Sequence, residues 1–371
     1  MMQSLEALAA AGVSVWLDDL SRRRLVSGDL ERRARIGEVV GVTTNPAIFH
    51  KALHDSESYE LDMREFAQIG LGASETVRML TCADVRAACD VLQPVYEETA
   101  GQDGRVSIEV DPAWADQPQR TIAEARLLWW LVNRPNVMIK IPATPGGLPA
   151  VTACLAEGMS VNVTLIFSLQ RYGEVQDAFL AGLEQARANG HDLSRIASVA
   201  SFFVSRVDTA VDQRLDEIGT EQAKALLGRA AIANSTLAYE KYQHMLRSSR
   251  WAPLAEAGAR PQRLLWASTS VKNPDYDDTR YVTQLVAPGT VNTMPGQTLA
   301  AVADHGEVGG DRLSGGYAQA REVIDALAAL GIDIGDVGDQ LEREGVVMFQ
   351  DSWRALIADV EASTARHRSN S

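Results

Sequence analysis

The chain has 371 residues, of which 46% are hydrophobic and 23% are charged, and its formal net charge is −14. This composition is that of an ordinary globular protein and excludes wholesale disorder and fibrous repeats, while the length fits two or three domains or one large α/β barrel. So acidic a chain lacks the basic face that nucleic acid or anionic membranes require, whereas a small phosphorylated substrate needs only a few local cations.

The cysteines and the apolar runs predict a cytoplasmic protein. Cys82, Cys89 and Cys154 have spacings that match neither a disulfide framework nor a zinc pattern. Met1–Ala11 has no basic n-region and no long apolar core, so we do not expect a secretory signal. No stretch approaches the roughly 18 apolar residues of a membrane span.

Short apolar runs rich in β-branched residues alternate along the chain with longer segments of helical periodicity. The runs predict strands at Val13–Asp18, Val39–Asn45, Val106–Val110, Asn136–Ile141, Met159–Phe167, Ile196–Val204, Leu264–Ser268 and Leu285–Asn292. The predicted intervening helices are Ser74–Glu98, Pro118–Asn133, Gln170–Ala188, an interrupted Asp208–Arg247, and Thr279–Thr283. Nearly continuous apolar strands that each precede a helix favour a parallel sheet buried on both faces.

Eight such strands predict an α/β fold of the (β/α)₈ TIM-barrel type. The alternative is an open doubly wound sheet, which requires a glycine-rich fingerprint after the first strand, and the Asp-Asp-Leu-Ser sequence of Asp18–Ser21 is not one. We therefore favour the barrel.

After Pro295 the pattern changes. Gly296–Gly310 is rich in glycine, and two amphipathic helices are predicted at Gly316–Leu330 and Val346–Ala365, with a Gly/Asp-rich connection that begins at Gly331. We interpret residues 1–371 as one barrel domain, with the helices of 296–371 packed on its outside or over its mouth.

Lys140 is the most informative residue, because it is the one charge in the apolar strand Val137–Ile141. An ammonium group inside a dry barrel is costly, and a buried lysine tends to be neutral. A neutral amine attacks carbonyl carbon and forms a Schiff base. A lysine paired with a buried carboxylate, or one reaching solvent from an edge strand, is the structural alternative.

Other polar residues stand at the carboxyl ends of the predicted strands, where barrel enzymes place their chemistry. Asp18 and Glu109 are carboxylates suited to proton transfer, although each could be purely structural. Asn45 and Asn162 could hydrogen-bond a polyhydroxylated substrate or merely the backbone.

Cations and hydroxyl groups follow the later strands. Ser201–Arg206 ends the sixth strand and Ser268–Asn273 follows the seventh, so Arg206 and Lys272 are candidate phosphate ligands, with surface positions as the alternative. His50 and His54 are four residues apart, but Lys51 stands where a zinc-protease helix carries its glutamate. We predict a surface helix there and no metal site.

Four motifs in order along the chain resemble those of the transaldolase family. They are Thr43–Pro46 (TTNP), Val106–Asp111 (VSIEVD), Ile139–Thr144 (IKIPAT) and Asn162–Ser168 (NVTLIFS). The resemblance covers about Val13–Lys272, and the longer C-terminal part is similar to the extended bacterial form of the family.

The resemblance implies a (β/α)₈ enzyme of the pentose phosphate pathway that acts without metal or cofactor. Such enzymes move a dihydroxyacetone unit from sedoheptulose 7-phosphate to glyceraldehyde 3-phosphate, giving erythrose 4-phosphate and fructose 6-phosphate. Sugar phosphates are then its partners, and the chain would be a monomer or a homodimer.

The resemblance also implies roles for individual residues. Lys140 resembles the Schiff-base lysine, Asp18 the acid/base at the C4 hydroxyl, and Glu109 with Thr164 the pair that positions the catalytic water. The residues similar to those that hold the dihydroxyacetone hydroxyls are Asn45, Asn162 and Ser201. Arg206 resembles the phosphate-binding arginine.

Two positions depart from the family pattern. Phe202 follows Ser201 where many members have proline, and Lys272 stands where better-known members have a second phosphate-binding arginine. Lysine binds phosphate as a point charge and not as a bidentate fork, so the second departure concerns substrate affinity.

Three rival functions remain open at this stage. A simple aldolase on the same fold would use the same lysine and release dihydroxyacetone, as a fructose 6-phosphate aldolase does. A metal-assisted barrel enzyme would use Asp18, Glu109 and Asp111 as ligands with Lys140 as base. A non-enzymatic barrel would bind sugar phosphates without forming a covalent adduct.

Overall fold

Eight parallel strands close into a barrel in the order β1 to β8, which confirms the predicted (β/α)₈ fold. The structure is a computed structural model and describes residues 3–54 and 57–369, the side chains of 368 and 369 excepted. The strands are β1 Val13–Leu17, β2 Gly41–Val42, β3 Arg105–Glu109, β4 Val137–Pro142, β5 Val161–Ile166, β6 Ser198–Phe203, β7 Arg263–Ala267 and β8 Thr290–Met294.

Helices surround the barrel and form its C-terminal part. They are α1 Gln3–Ala10, α2 Arg22–Val26, α3 Asp29–Arg35, α4 Pro46–His54, α5 Glu60–Gln68, α6 Ala73–Glu98, α7 Pro118–Val132, α8 Gly147–Ala156, α9 Leu169–Ala188, α10 Ser205–Ile218, α11 Glu221–Lys224, α12 Ala230–Leu246, α13 Ala252–Glu256, α14 Arg280–Thr283, α15 Gly296–His305, α16 Tyr317–Ala329 and α17 Ile334–Ser369. Short 3₁₀ turns occur at Glu57–Tyr59, Pro112–Trp114 and Leu193–Arg195.

Six of the eight predicted strands agree with the structure to within two residues at each end, and the other two differ by more. β2 ends at Val42 and not at Asn45, because the Thr44 hydroxyl donates to the Ser107 carbonyl and Asn45 caps α4. β8 begins at Thr290 and not at Leu285. The apolar run there crosses Pro288 and Gly289, and Gly289 has a φ of +76°, so its first half is a buried turn.

Strand β5 is irregular near its carboxyl end. Leu165 has a φ of +60°, unusual for a residue with a side chain, and the pairing with β6 shifts register between Val163 and Ile166. Such an irregularity redirects the side chains beside it. It lies next to Thr164, at the end of the barrel where the candidate site residues were predicted.

The C-terminal segment differs most from the prediction. Gly296–His305 is a helix, and the predicted connection beyond Gly331 is mostly the first part of the long helix α17. A β-carbon at Gly338 would lie 2.8 Å from Ser168 Cβ, and one at Gly345 would lie 2.9 Å from Leu165 Cδ2. These glycines therefore allow α17 to pack closely on the end of β5.

Helix α17 crosses the C-terminal end of the barrel and contacts β5, α4, α5 and α6. The predicted single domain, 1–371, includes four residues at its ends that lie outside the described part of the chain. Within the described residues, no helix combines the length and apolar character needed to cross a bilayer.

Candidate active site

Three neighbouring strands place Glu109, Lys140 and Asn162 side by side. The parallel register pairs Glu109 with Lys140 and Lys140 with Asn162, so these side chains form one layer inside the barrel, which we call the lysine layer. All three residues are buried. This layer lies toward the carboxyl ends of the strands, the end at which barrel enzymes carry their active sites.

Lys140 has a polar environment on one side and an aromatic ring on another. Its Nζ atom donates to the carbonyl oxygen of Thr44 at 3.0 Å and lies 3.3 Å from Glu109 Oε2. The ring of Phe349, from α17, is centred 5.9 Å from Nζ. The lysine is therefore paired with a buried carboxylate, and the alternative of an edge strand is wrong because the barrel is closed.

The carboxyl groups of this layer are harder to ionise than usual. Burial raises the pKa of Glu109 to about 7, although the positive charge of Lys140 opposes this. Burial also raises the pKa of Asp18, against the effects of Lys140 and of a hydrogen bond from Thr43. A carboxyl group with a pKa near 7 can both donate and accept a proton at neutral pH.

Asp18 follows β1 and is held in a chain of hydroxyl groups. The Thr43 hydroxyl donates to Asp18 Oδ1 at 2.7 Å and lies 2.6 Å from the Thr293 hydroxyl, which therefore donates to Thr43. The Asp18 amide donates to the Met294 carbonyl at 2.8 Å. These contacts fix the carboxylate at the mouth between β1, β2 and β8.

Asn162 and Ser201 form a second ordered chain of polar groups. Ser201 Oγ donates to Asn162 Oδ1 at 2.7 Å, and Asn162 Nδ2 donates to Ser107 Oγ at 3.0 Å. Thr164 is two residues beyond Asn162 on β5 and is also fully buried. Its Oγ1 atom and the Oε1 atom of Glu109 have no hydrogen-bond partner among the described residues, whereas Glu109 Oε2 faces Lys140 Nζ.

The remaining predicted residues differ in their positions. Asn45 is half-buried next to this layer, and its Oδ1 accepts from the amide of Ile48 at 3.0 Å, so it caps α4. Arg206, at the start of α10, has its guanidinium carbon 5.7 Å from the ring centre of Phe203 and donates to Met348 Sδ at 3.3 Å. Partial burial lowers the pKa of Arg206, and Glu344 opposes this.

Lys272 is not brought into the lysine layer. It is exposed, its Nζ donates to Ser270 Oγ at 2.9 Å, and it borders a groove that carboxylates of α10 also line.

Helix α17 contributes residues that the sequence analysis missed. Phe349 lies over Lys140, Met348 contacts Arg206, and Gln350 donates to the Pro112 carbonyl at 3.1 Å. Burial raises the pKa of Asp111, and a hydrogen bond between the Trp353 side chain and the Asp111 carboxylate partly opposes this rise. The amphipathic pattern indicated a helix, but no local motif indicated which of its residues face the barrel.

The carboxylates of the metal-assisted alternative do not come together. Asp111 caps the turn Pro112–Trp114 by accepting from the Ala113 amide at 2.9 Å. Within the described ranges, Asp18, Glu109 and Asp111 do not form a group of ligand atoms within 4.8 Å of one another. The arrangement therefore favours an amine nucleophile served by carboxyl groups.

Comparison with known proteins agrees with this geometry. Residues 15–360 match the model of the family described as Transaldolase/Fructose-6-phosphate aldolase. The chain is 59% identical over 367 residues to a transaldolase of Thermobifida fusca, covering 99% of this chain and 100% of that protein. It is 59% identical over 368 residues to one of Acidothermus cellulolyticus, covering 99% of each, and 57% identical over 360 residues to one of Mycobacterium bovis, covering 97% and 96%. The chain belongs to the transaldolase/fructose-6-phosphate aldolase family.

Proposed function

We propose that this protein is a transaldolase that transfers a dihydroxyacetone unit from sedoheptulose 7-phosphate to glyceraldehyde 3-phosphate through a Schiff base on Lys140. The observation that carries the proposal is the buried Lys140 amine, 3.3 Å from a Glu109 carboxyl group whose pKa is about 7. The high identity to transaldolases over nearly the whole chain supports the same function.

The first step is formation of the imine. Lys140 passes a proton to the adjacent Glu109 carboxylate, and the amine so formed adds to the C2 carbonyl of the ketose. The resulting carbinolamine then loses water as Glu109 donates that proton to the departing hydroxyl group, which leaves a protonated imine. In the reverse step, the Glu109 carboxylate takes a proton from the hydrolytic water, which the Thr164 hydroxyl helps to position. Glu109 Oε1 and Thr164 Oγ1, which have no hydrogen-bond partner among the described residues, support these roles.

The second step breaks the C3–C4 bond. Asp18 takes the proton of the C4 hydroxyl, the aldehyde product erythrose 4-phosphate forms, and the electron pair of the broken bond moves into the iminium group to give an enamine. The enamine then attacks the aldehyde of glyceraldehyde 3-phosphate, and Asp18 returns the proton to the new C4 oxygen. The raised pKa of Asp18 suits a group that must be reprotonated in each cycle.

The remaining site residues bind substrate. Asn45, Asn162 and Ser201 hold the hydroxyl groups of the dihydroxyacetone unit, and the ordered Ser201–Asn162–Ser107 chain supports their fixed orientation. Arg206 binds the phosphate group, assisted by Lys272 as a point charge. The acidic surroundings of Lys272 indicate that it contributes less than Arg206.

Transfer and simple aldol cleavage are separated by the acceptor. Purified protein is incubated with fructose 6-phosphate and erythrose 4-phosphate, and the formation of sedoheptulose 7-phosphate and glyceraldehyde 3-phosphate is followed. A transaldolase forms both products and releases little dihydroxyacetone when the acceptor is omitted. Rapid dihydroxyacetone release without acceptor would instead identify a fructose 6-phosphate aldolase.

A further inference from the structure

His50 and His54 lie on the same side of α4 and face one carboxylate of the C-terminal helix. His50 Nε2 is 3.1 Å and His54 Nδ1 is 2.9 Å from the same atom, Asp359 Oδ2. Residues four apart are neighbours on a helix surface, so the two rings converge from successive turns. In the described part of the chain, the ligand atoms of these three residues all lie within 4.8 Å of one another.

The donor set and its spacing suit zinc. Zn²⁺ takes imidazole nitrogens at about 2.0 Å and carboxylate oxygens at about 2.0–2.2 Å in tetrahedral geometry, which places ligand atoms roughly 3.3 Å apart. The separations of 2.9 and 3.1 Å in the hydrogen-bonded cluster are close to this value. A metal ion would replace the shared hydrogen bonds after small movements of exposed side chains.

The surroundings leave a fourth position accessible. The side chains of His50, His54 and Asp359 are 34%, 65% and 42% exposed, so water can complete the coordination. The groove beside them is lined by Glu57 and Glu60, which add negative charge, and by Arg366, which opposes it. Glu60 is also paired with His367 at 3.3 Å.

Contrary to the prediction from the spacing of His50 and His54 alone, we propose that these residues and Asp359 form a zinc site that joins α4 to α17. The site is separate from the reaction, because His50 is five residues beyond Asn45, about 7.5 Å along α4, and Asp359 is ten residues beyond Phe349, about 15 Å along α17. The ion holds the helix that covers Lys140 against the helix that Asn45 caps. Its function is to stabilise this cover, and no chemical step uses it.

The test is titration of the tag-free, full-length protein with ZnCl₂ in an isothermal calorimeter. Wild type binds one equivalent. His54→Ala and Asp359→Asn each weaken binding by about tenfold or more, because even the loss of a residue that only supports a metal ligand costs about 10–100-fold. His305→Ala is the matched control, since His305 is 51% exposed and contacts Asp278 and Asp304 but has no second imidazole beside it.

Two further results decide the proposal. Zinc raises the thermal unfolding temperature of wild type and of His305→Ala but not of Asp359→Asn, whose exposed position keeps the fold intact. Absence of zinc binding in wild type, equal binding in the His54→Ala variant, or loss of binding in the His305→Ala variant would each overturn the site. Binding without a rise in unfolding temperature would overturn the joining of the two helices.

Discussion

Glu109 gives the clearest prediction at the residue scale, because its pKa of about 7 lies above the ordinary glutamate value. As the pH rises, Glu109 loses its proton at a lower pH in the unfolded chain than in the folded protein. The contribution of Glu109 to the free energy of unfolding is therefore complete below about pH 4.5 and is lost as the pH rises through about 7. Glu109→Gln cannot titrate. We expect the unfolding free energy of wild type to fall relative to Glu109→Gln between pH 4.5 and 8, as measured by urea unfolding. A difference that is constant or of opposite sign would contradict this pKa.

Thr164 separates a chemical role from a structural one. Thr164→Val removes a hydroxyl that has no described protein partner, so we expect little loss of stability but imine formation slower by on the order of 10²-fold. Thr290→Val is the control, because this buried hydroxyl donates to the Ala287 carbonyl at 2.7 Å. The control is expected to lose about 1 kcal/mol of stability and to keep its rate. Equal rates in the two variants would exclude the role of Thr164.

The residues of the lysine layer could be identified from the sequence, but their contacts could not. A lysine in an apolar strand and polar residues at strand ends are local signals, and the parallel register then brings Glu109, Lys140 and Asn162 together. The placement of Phe349 depends on the path of a helix more than 200 residues farther along the chain. No local sequence pattern predicts the path of α17 across the barrel.

At the scale of elements, α17 is the cover of the site. Phe349→Ala opens the space above Lys140, so we expect dihydroxyacetone release from fructose 6-phosphate without acceptor to increase several-fold relative to transfer. The variant is also expected to lose stability, by up to about 3–5 kcal/mol, so release is normalised to active sites counted by borohydride trapping. Val347→Ala, at the exposed neighbouring position, is the control. An unchanged ratio in Phe349→Ala would show that the ring does not exclude water.

The same helix explains why the predicted connection beyond Gly331 was wrong, although the two predicted C-terminal helices are present. Glycine and aspartate beyond Gly331 are typical of a loop, yet Gly338 and Gly345 permit close packing, which is a tertiary requirement. Likewise, the apolar run at Leu285 predicted a strand too early, because burial in a turn and burial in a sheet have the same composition.

Substitution of these glycines tests the packing. Gly338→Ala places a β-carbon 2.8 Å from Ser168 Cβ and 3.3 Å from its backbone nitrogen, so α17 must move and the variant loses stability despite a gain of about 1 kcal/mol in helix propensity. The β-carbon of Gly345→Ala contacts the flexible end of the Leu165 side chain, so we expect a smaller loss of stability. Thermal unfolding ranks the two. The reverse order would contradict this packing of α17.

At the scale of the whole molecule, the barrel and its C-terminal helices share one continuous apolar core, which includes Leu165 from β5 and Phe349, Leu356 and Val360 from α17. We therefore expect residues 1–371 to unfold as a single domain. Tryptophan fluorescence and far-ultraviolet circular dichroism should give coincident denaturant transitions. A separate early transition would indicate that the C-terminal helices form an independent unit.

The net charge of −14 is a property of the whole molecule. It excluded extended polyanions as partners but left room for a sugar phosphate at a local cation such as Arg206. Of the 35 basic residues only five are lysines, namely Lys51, Lys140, Lys224, Lys241 and Lys272.

That small number makes the central claim directly measurable. The protein is incubated with fructose 6-phosphate, reduced with borohydride, digested and mapped by mass spectrometry. The account predicts one reduced dihydroxyacetone adduct, on Lys140, and no adduct in a folded Lys140→Ala variant, which also has no turnover. An adduct on any of the other four lysines, or turnover without any adduct, would contradict it.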